Sequence, residues 1–458
     1  MRHRHWTHRG KWLYVLLALA LLLGLWLARA DEPDDRYMQI YSLIQQADDL
    51  NTNGKAAPAK AKYQEAQIAL TSFQQDRESL KSLAFCPALV KESPHIMGHV
   101  KLHIPGPVEV SEKTFRAFCS PMIGHRGQGF KDLYAKIQPQ LQQLLSTKQL
   151  VYISTSSAWG VMEGALRNLV AKKVLNCMCG AFSDKWFDVS KRCGKEAEAL
   201  PVPWGSPIRA ADVDKKLATG QFDALTVIHN ETSTGVMSPL AELAALKQKY
   251  PDVMFIVDAV SSMSGVPINF DELGIDVLLA GTQKAFAMPP GTAVFVCSPA
   301  ALTKAATMKD RGYYFDFVEF QKNAEGSMTP STPSIGHVYA LESKLQDFLA
   351  EGLEARYARH RRTNQLTRDW AAKHGFNLFP EPGFESLTLT CVSNGARPGG
   401  RTVDVPKLQK LVKDQGFLID GGYGKIKGTT FRISNMGDET EATMGQLFAA
   451  MDNAMKQL

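Results

Sequence analysis

Apolar positions divide the chain into three stretches with different periods. The first, Trp12–Ala28 (WLYVLLALALLLGLWLA), contains no polar or charged residue except Tyr14. It follows a basic start (Arg2, Arg4, Arg9, Lys11) and ends at Ala28-Arg29-Ala30. A basic start, an apolar middle and a small-residue end describe a secretory signal peptide. At about 17 residues the run also reaches the lower limit for spanning a bilayer. Residues 1–30 therefore read as a signal peptide or a membrane anchor, with the remainder exported or held at a membrane. In the second stretch, 31–80, apolar residues recur at helical spacing: Tyr37, Ile40, Leu43, Ile44, Ala47 and Leu50, then Ala59, Tyr63, Ala66 and Leu70. This predicts a helical hairpin resembling one tetratricopeptide repeat, which needs a surface to pack on. Residues 81–100, with Pro87 and Pro94, read as a linker.

From His103 short apolar runs alternate with amphipathic segments. Val151–Ser154, Lys173–Met178, Ala224–His229, Met254–Asp258, Val277–Ala280 and Ala293–Cys297 read as strands. Amphipathic stretches such as Met162–Val170 and Ala241–Tyr250 read as helices. Alternation of this kind predicts an α/β domain, 101–345, with a mainly parallel sheet covered on both faces. A long helix is expected from Val338 to Arg362 and beyond. Strands at Phe384–Val392 and Thr429–Ser434 would belong to a smaller α+β domain, 346–458.

Composition narrows the function. Of 458 residues, 45% are apolar and 21% charged, which excludes wholesale disorder. The net charge of +6 is partly concentrated in the first eleven residues, so it makes no case for nucleic-acid binding. Seven cysteines, an odd and unpatterned set, do not form a disulfide framework. Cys177-x-Cys179 lacks the spacer and second ligand pair of a zinc site, so no metal is expected. The thiols read as reduced, the habit of a cytoplasmic catalytic core, and this conflicts with the export signal at the front.

The chemistry-bearing residues follow the strands. Ser156-Ser157, Thr232-Ser233-Thr234, Asp258 and Lys284 all fall where a parallel sheet places its ligands, beyond the carboxyl ends. Asp258 ends an apolar strand, and a desolvated carboxylate there needs a cationic partner. Lys284 lies in an apolar turn bounded by Gly281 and Gly291, where burial lowers an amine's pKa and makes it nucleophilic toward carbonyls. A lysine that condenses with an aldehyde and an acid facing a ring nitrogen together suggest a pyridoxal 5'-phosphate site. The turn Ser157-Ala158-Trp159, between strand and helix, would offer amides to the phosphate.

Residues from about 101 to 458 resemble the class V aminotransferases, a fold-type I pyridoxal phosphate family. The segments IPGPVEVS (104–111), HNETSTGVMSPL (229–240) and FIVDAVSSMSGVPINFDELGIDVLLAGTQKAFAMPPG (255–291) carry the likeness. Within the family the chain is most similar to alanine–glyoxylate and serine–pyruvate aminotransferases. The resemblance implies that Lys284 holds the cofactor and shuttles a proton, while Asp258 faces the ring nitrogen. It implies Thr232 near the phenolic oxygen, and Gln283 with Ser157, Ala158 and Trp159 at the phosphate. The family often has Gly and His where Ala158 and Trp159 stand here. Phe182 falls where the family stacks an aromatic on the ring, and Arg432 where it binds the substrate α-carboxylate. Thr332 resembles a residue lent to the neighbouring subunit's phosphate in a homodimer, and His125-Arg126 could hold a substrate group. The implied activity moves an amino group from alanine or serine to glyoxylate or pyruvate in two half-reactions. Phosphoserine aminotransferase is the nearer alternative, since Gly124-His125-Arg126 could bind a phosphate. A cysteine desulfurase would carry histidine before the lysine, where this chain has Gln283. A membrane-tethered binding protein with an inactive aminotransferase fold is the alternative of a different class.

Overall fold

The computed structural model divides the chain into two compact units, residues 1–98 and 99–458. It describes residues 99–458 throughout and, in the first unit, only scattered helical positions between 42 and 69. The apolar run 12–28, most of the hairpin and residues 81–98 of the linker lie outside the described residues. Among the described residues no helix is long and apolar enough to cross a membrane.

The second unit is built on a seven-stranded sheet. Its strands are β1 (Val151–Ser154), β2 (Lys173–Met178), β3 (Glu196–Pro201), β4 (Ala224–Ile228), β5 (Met254–Asp258), β6 (Val277–Gly281) and β7 (Ala293–Cys297), in the spatial order β1-β7-β6-β5-β4-β2-β3. β7 runs antiparallel to both neighbours, and the pairs among β6, β5, β4, β2 and β3 are parallel. The mixed but mainly parallel sheet is the α/β architecture expected from the alternation of runs. β1 and β4 to β7 are buried at every position, as sheets covered on both faces require. This explains why they read as apolar runs rather than as alternating patterns.

Helices α1 (Gln128–Leu145), α2 (Ala158–Leu169) and α3 (Ala181–Arg192) supply part of that cover. Phe130, Tyr134, Ile137 and Leu141 of α1 are all buried in the core that includes Val151 and Tyr152. In α2, Val161, Ala165, Leu166 and Leu169 lie within it. Burying one such large aliphatic side chain is worth about 1.5–3 kcal/mol.

The long helix expected from Val338 is in fact two. α4 (Ile335–Glu351) and α5 (Leu353–Lys373) are separated at Gly352, whose φ of 84° breaks the helical path. Such a conformation suits glycine. The strand expected from Phe384 begins only at Leu389. There β8 (Leu389–Ser393) pairs antiparallel with β9 (Thr430–Ser434). With α6 (Val405–Lys413) and α7 (Glu441–Met455) these strands bury a second core of Val392, Leu408, Phe431, Ile433, Leu447 and Met451. The entering segment Lys101–Leu102 pairs in parallel with Phe417–Leu418, tying the start of the unit to its last third. Among the described residues six cysteines are free thiols, of which Cys177, Cys179, Cys297 and Cys391 are buried.

Candidate active site

A cavity opens at the carboxyl ends of the sheet strands. Ser157, Ala158, Trp159, Met162, Phe182, Ile228, Asn230, Thr232, Asp258, Val260, Ser261, Gln283 and Lys284 line it. These residues follow β1, β2, β4, β5 and β6 in turn, so the sheet itself converges them.

Lys284 sits in the turn between β6 and β7 and is only 9% exposed. Its Nζ donates to Thr232 Oγ1 at 3.1 Å and stands 5.4 Å from the centre of the Phe182 ring. Burial, and then the nearby Arg432 charge, push the amine down to about 8. The aliphatic stem passes against Gly106, where an added Cβ would fall 2.9 Å from Lys284 Cγ. Gly106 has φ of 99°, so conformation and close approach both call for glycine there.

Asp258 closes β5. Its Oδ1 accepts the Val260 N–H at 2.7 Å. Burial raises the carboxyl to about 7, opposed by that hydrogen bond and by the Lys284 charge. The acid and the amine therefore face one cavity, and each favours the other's charged form. An aspartate so desolvated is suited to a cationic partner inside the cavity.

α2 begins at the cavity with Ser157 as N-cap, and no side chain caps its first turn. Its leading amides are thus available to an anion, and the helix dipole adds to the attraction. The Ala and Trp of this turn are side chains only, so they leave the backbone donors intact. Phe182, in the first turn of α3, forms the opposite wall and stacks on Tyr423, with ring centres 5.1 Å apart and planes 11° from parallel.

Three buried polar residues of the site lie inside the quoted segments but were not singled out from sequence. Glu231, fully buried, accepts the Ser183 N–H and Oγ–H, each at 3.0 Å, and the Ser233 N–H at 3.1 Å and Oγ–H at 2.6 Å. It thereby fixes the start of α3 and, with it, Phe182. Ser261 Oγ lies 2.9 Å from Thr232 Oγ1 and donates to the Asn230 carbonyl at 2.7 Å. Asn230 donates to Thr388 Oγ1 at 2.9 Å, while its Oδ1 is buried without a protein partner. Sequence marks these positions as polar, but only the tertiary fold shows that they are buried.

Other predicted residues stand apart from the lining. Arg432, on β9, adjoins it at Thr232. Its Nη1 donates to the Thr232 carbonyl at 2.7 Å and its Nε to Asp420 Oδ1 at 2.8 Å. His125 and Thr332 meet each other, with Nε2 and Oγ1 3.4 Å apart, and Arg126 is exposed beside them; none of the three lines the cavity. Cys391, the thiol that a desulfurase would need, is buried on β8 with its pKa raised to about 12 by burial.

The residues present fit pyridoxal phosphate. A buried amine of lowered pKa, a desolvated carboxylate, an uncapped helix start, an aromatic wall and the unpartnered Asn230 Oδ1 share one cavity.

Comparison with known proteins gives the same picture. The model of the family described as aminotransferase class-V matches residues 113–378. An L-aspartate–glyoxylate aminotransferase of Paracoccus denitrificans is 29% identical over 78% of this chain and 91% of its own length. A serine–glyoxylate aminotransferase of Methylorubrum extorquens is 29% identical over 78% of this chain and 93% of its own. Among solved structures, an alanine–glyoxylate aminotransferase from Nostoc superposes with a TM-score of 0.74 at 26% identity, covering 79% of this chain and 97% of that one.

Proposed function

This chain belongs to the class-V aminotransferases, and from that premise we propose that it transfers an amino group from alanine or serine to glyoxylate or pyruvate. It is a pyridoxal phosphate-dependent transaminase of the fold-type I class. The relatives named above act on glyoxylate with aspartate, serine or alanine as partner. The observation that carries the reading is the placement of Lys284 and Asp258 on one cavity, with the amine buried and pushed down to about 8.

Pyridoxal phosphate, when bound, supplies an aldehyde that condenses with amines and a protonated ring that draws electrons from the substrate's α-carbon. Lys284 would hold that aldehyde and, once displaced by the substrate amine, carry a proton to and from the α-carbon. Its lowered pKa suits both tasks, because the neutral amine is the nucleophile and the base. Asp258 would keep the ring nitrogen protonated. Thr232 Oγ1, already bonded to Lys284, would hold the phenolic oxygen. The amides of Ser157-Ala158-Trp159 and the Gln283 side chain would bind the phosphate, and Phe182 would flank the ring. Arg432 would bind the substrate carboxylate with the donors that Asp420 and Thr232 leave unused. Thr332, with His125 and Arg126 beside it, would serve the site of a second copy in a homodimer, the assembly typical of the family.

Full-chain enzyme assayed with alanine or serine against glyoxylate or pyruvate, and separately with phosphoserine against 2-oxoglutarate, tests the substrates. Turnover of the small donors is expected. Turnover of phosphoserine alone would overturn the assignment. The run Trp12–Ala28 would direct the chain to or across a membrane. Fractionation of cells with sequencing of the mature N-terminus tests this, and an intact N-terminus in the unsedimented fraction would exclude it.

A further inference from the structure

Arg432 is held in place by an acid. Asp420 Oδ1 accepts Arg432 Nε and the Gly422 N–H, both at 2.8 Å, and the two residues are also joined by a pair of backbone hydrogen bonds. The Asp420 loop cannot easily swing away. Gly422 has φ of 88°, and an added Cβ would sit 2.8 Å from the Thr430 carbonyl oxygen. A short chain of contacts links this acid to the reacting amine: Asp420 to Arg432, Arg432 to the Thr232 carbonyl, and Thr232 Oγ1 to Lys284 Nζ.

The charges acting on the Lys284 amine are Arg432, Asp258, Glu231 and Asp420. With Lys284 holding the cofactor and Asp258 facing its ring nitrogen, Arg432 would be the one cation left against Glu231 and Asp420. Arg432 has the donors to take one substrate carboxylate, but its charge is already shared with Asp420. A second carboxylate would meet a surplus of negative charge, at a cost of the order of a like-charge contact.

We infer that Asp420 is a specificity-determining residue that sets this site for amino and oxo acids with a single carboxylate and against dicarboxylates such as aspartate and succinate. The inference rests on the placement of the substrate carboxylate at Arg432 and deepens the proposed function. Asparagine at 420 would keep the acceptor for Arg432 Nε and Gly422 while removing the charge.

The test uses the full-chain holoenzyme as wild type, Asp420→Asn and Asp420→Ser. Two quantities are read: the ratio of kcat/KM for alanine over aspartate with glyoxylate, and the calorimetric ratio of affinities for propionate over succinate. The wild type should favour the monocarboxylate in both. Asp420→Asn should lower both ratios about tenfold, chiefly through the KM of aspartate, a shift that one like charge in a partly wet site readily supplies. Asp420→Ser should move them the same way, whatever its effect on absolute rates. Wild-type preference for aspartate and succinate, or ratios unmoved by either variant, would overturn the inference. If the wild type accepts neither alanine nor serine, the proposed function fails, and the propionate-to-succinate ratio still decides the role of Asp420.

Discussion

At the scale of single residues, the site works by removing two opposite charges from water. The Lys284 amine lies near 8, well below an ordinary lysine, because burial and Arg432 disfavour its proton. Only the neutral amine attacks an aldehyde, so the rate at which cofactor-free enzyme captures pyridoxal phosphate should climb with pH and level off above about 8. Stopped-flow absorbance would record it, and a climb continuing past pH 10 would mean an ordinary solvated lysine. Lys284→Ala should abolish the visible band of lysine-bound cofactor and lower kcat more than about a thousandfold. Asp258 shows the opposite sign. Its folded pKa of about 7 exceeds the unfolded value near 4. The folded chain therefore holds the proton more tightly between those values. The associated stability is present below pH 4, falls as pH rises, and is gone above 7. Asp258→Asn cannot titrate and keeps the acceptor for Val260 N–H. The cofactor-free variant should be more stable than wild type by about 4 kcal/mol at pH 8, with the gap closing toward pH 4, while losing transaminase activity. Melting of both proteins across that range checks the sign.

At the scale of elements, the start of α3 depends on a residue from another strand. Glu231 gathers the Ser183 and Ser233 donors, and it also lies 3.4 Å from the Phe182 amide nitrogen. Glu231→Ala would leave these buried donors unpaired, at a cost of about 3 kcal/mol. It would also loosen Phe182, so pyridoxal phosphate should dissociate more readily. Chemical denaturation and cofactor titration would measure the two effects, and an unchanged cofactor affinity would argue that Phe182 is fixed by its stack on Tyr423 instead. This level also shows what the sequence makes legible. β1 and β4 to β7 are buried along their whole length and were visible as short apolar runs. β3 was not, because EAEALP is an outer strand of the sheet with no fully buried position. The break at Gly352 was hidden because helical periodicity continues on both sides of it. That Lys284 and Asp258 share a cavity was legible from strand position, and Phe182 from the family resemblance. That Arg432 bonds the Thr232 carbonyl is a matter of long-range packing, which no local pattern encodes. The same holds for the burial of Glu231 and the pairing of Arg432 with Asp420.

At the scale of the whole molecule, the candidate site described above lies in one unit. The cavity, Arg432 and Asp420 all lie between residues 99 and 458, a stretch with its own two hydrophobic cores. The family model matches residues 113–378, inside this unit. Both its ends are tied into the fold: Lys101–Leu102 pairs with Phe417–Leu418, and α7 packs its Met444, Leu447 and Met451 into the second core. A chain begun at residue 99 loses none of these contacts, since each has both partners inside the unit. Residues 99–458 expressed alone should therefore fold cooperatively, develop the visible cofactor band and turn over with a kcat within about twofold of the full chain, since every residue that lines the cavity is retained. Sedimentation should give about twice the mass of one chain if Thr332 serves a second copy. In that case Thr332→Ala should weaken cofactor binding in the dimer. A fragment that folds and dimerises but binds cofactor poorly would place part of the site's support in the first 98 residues.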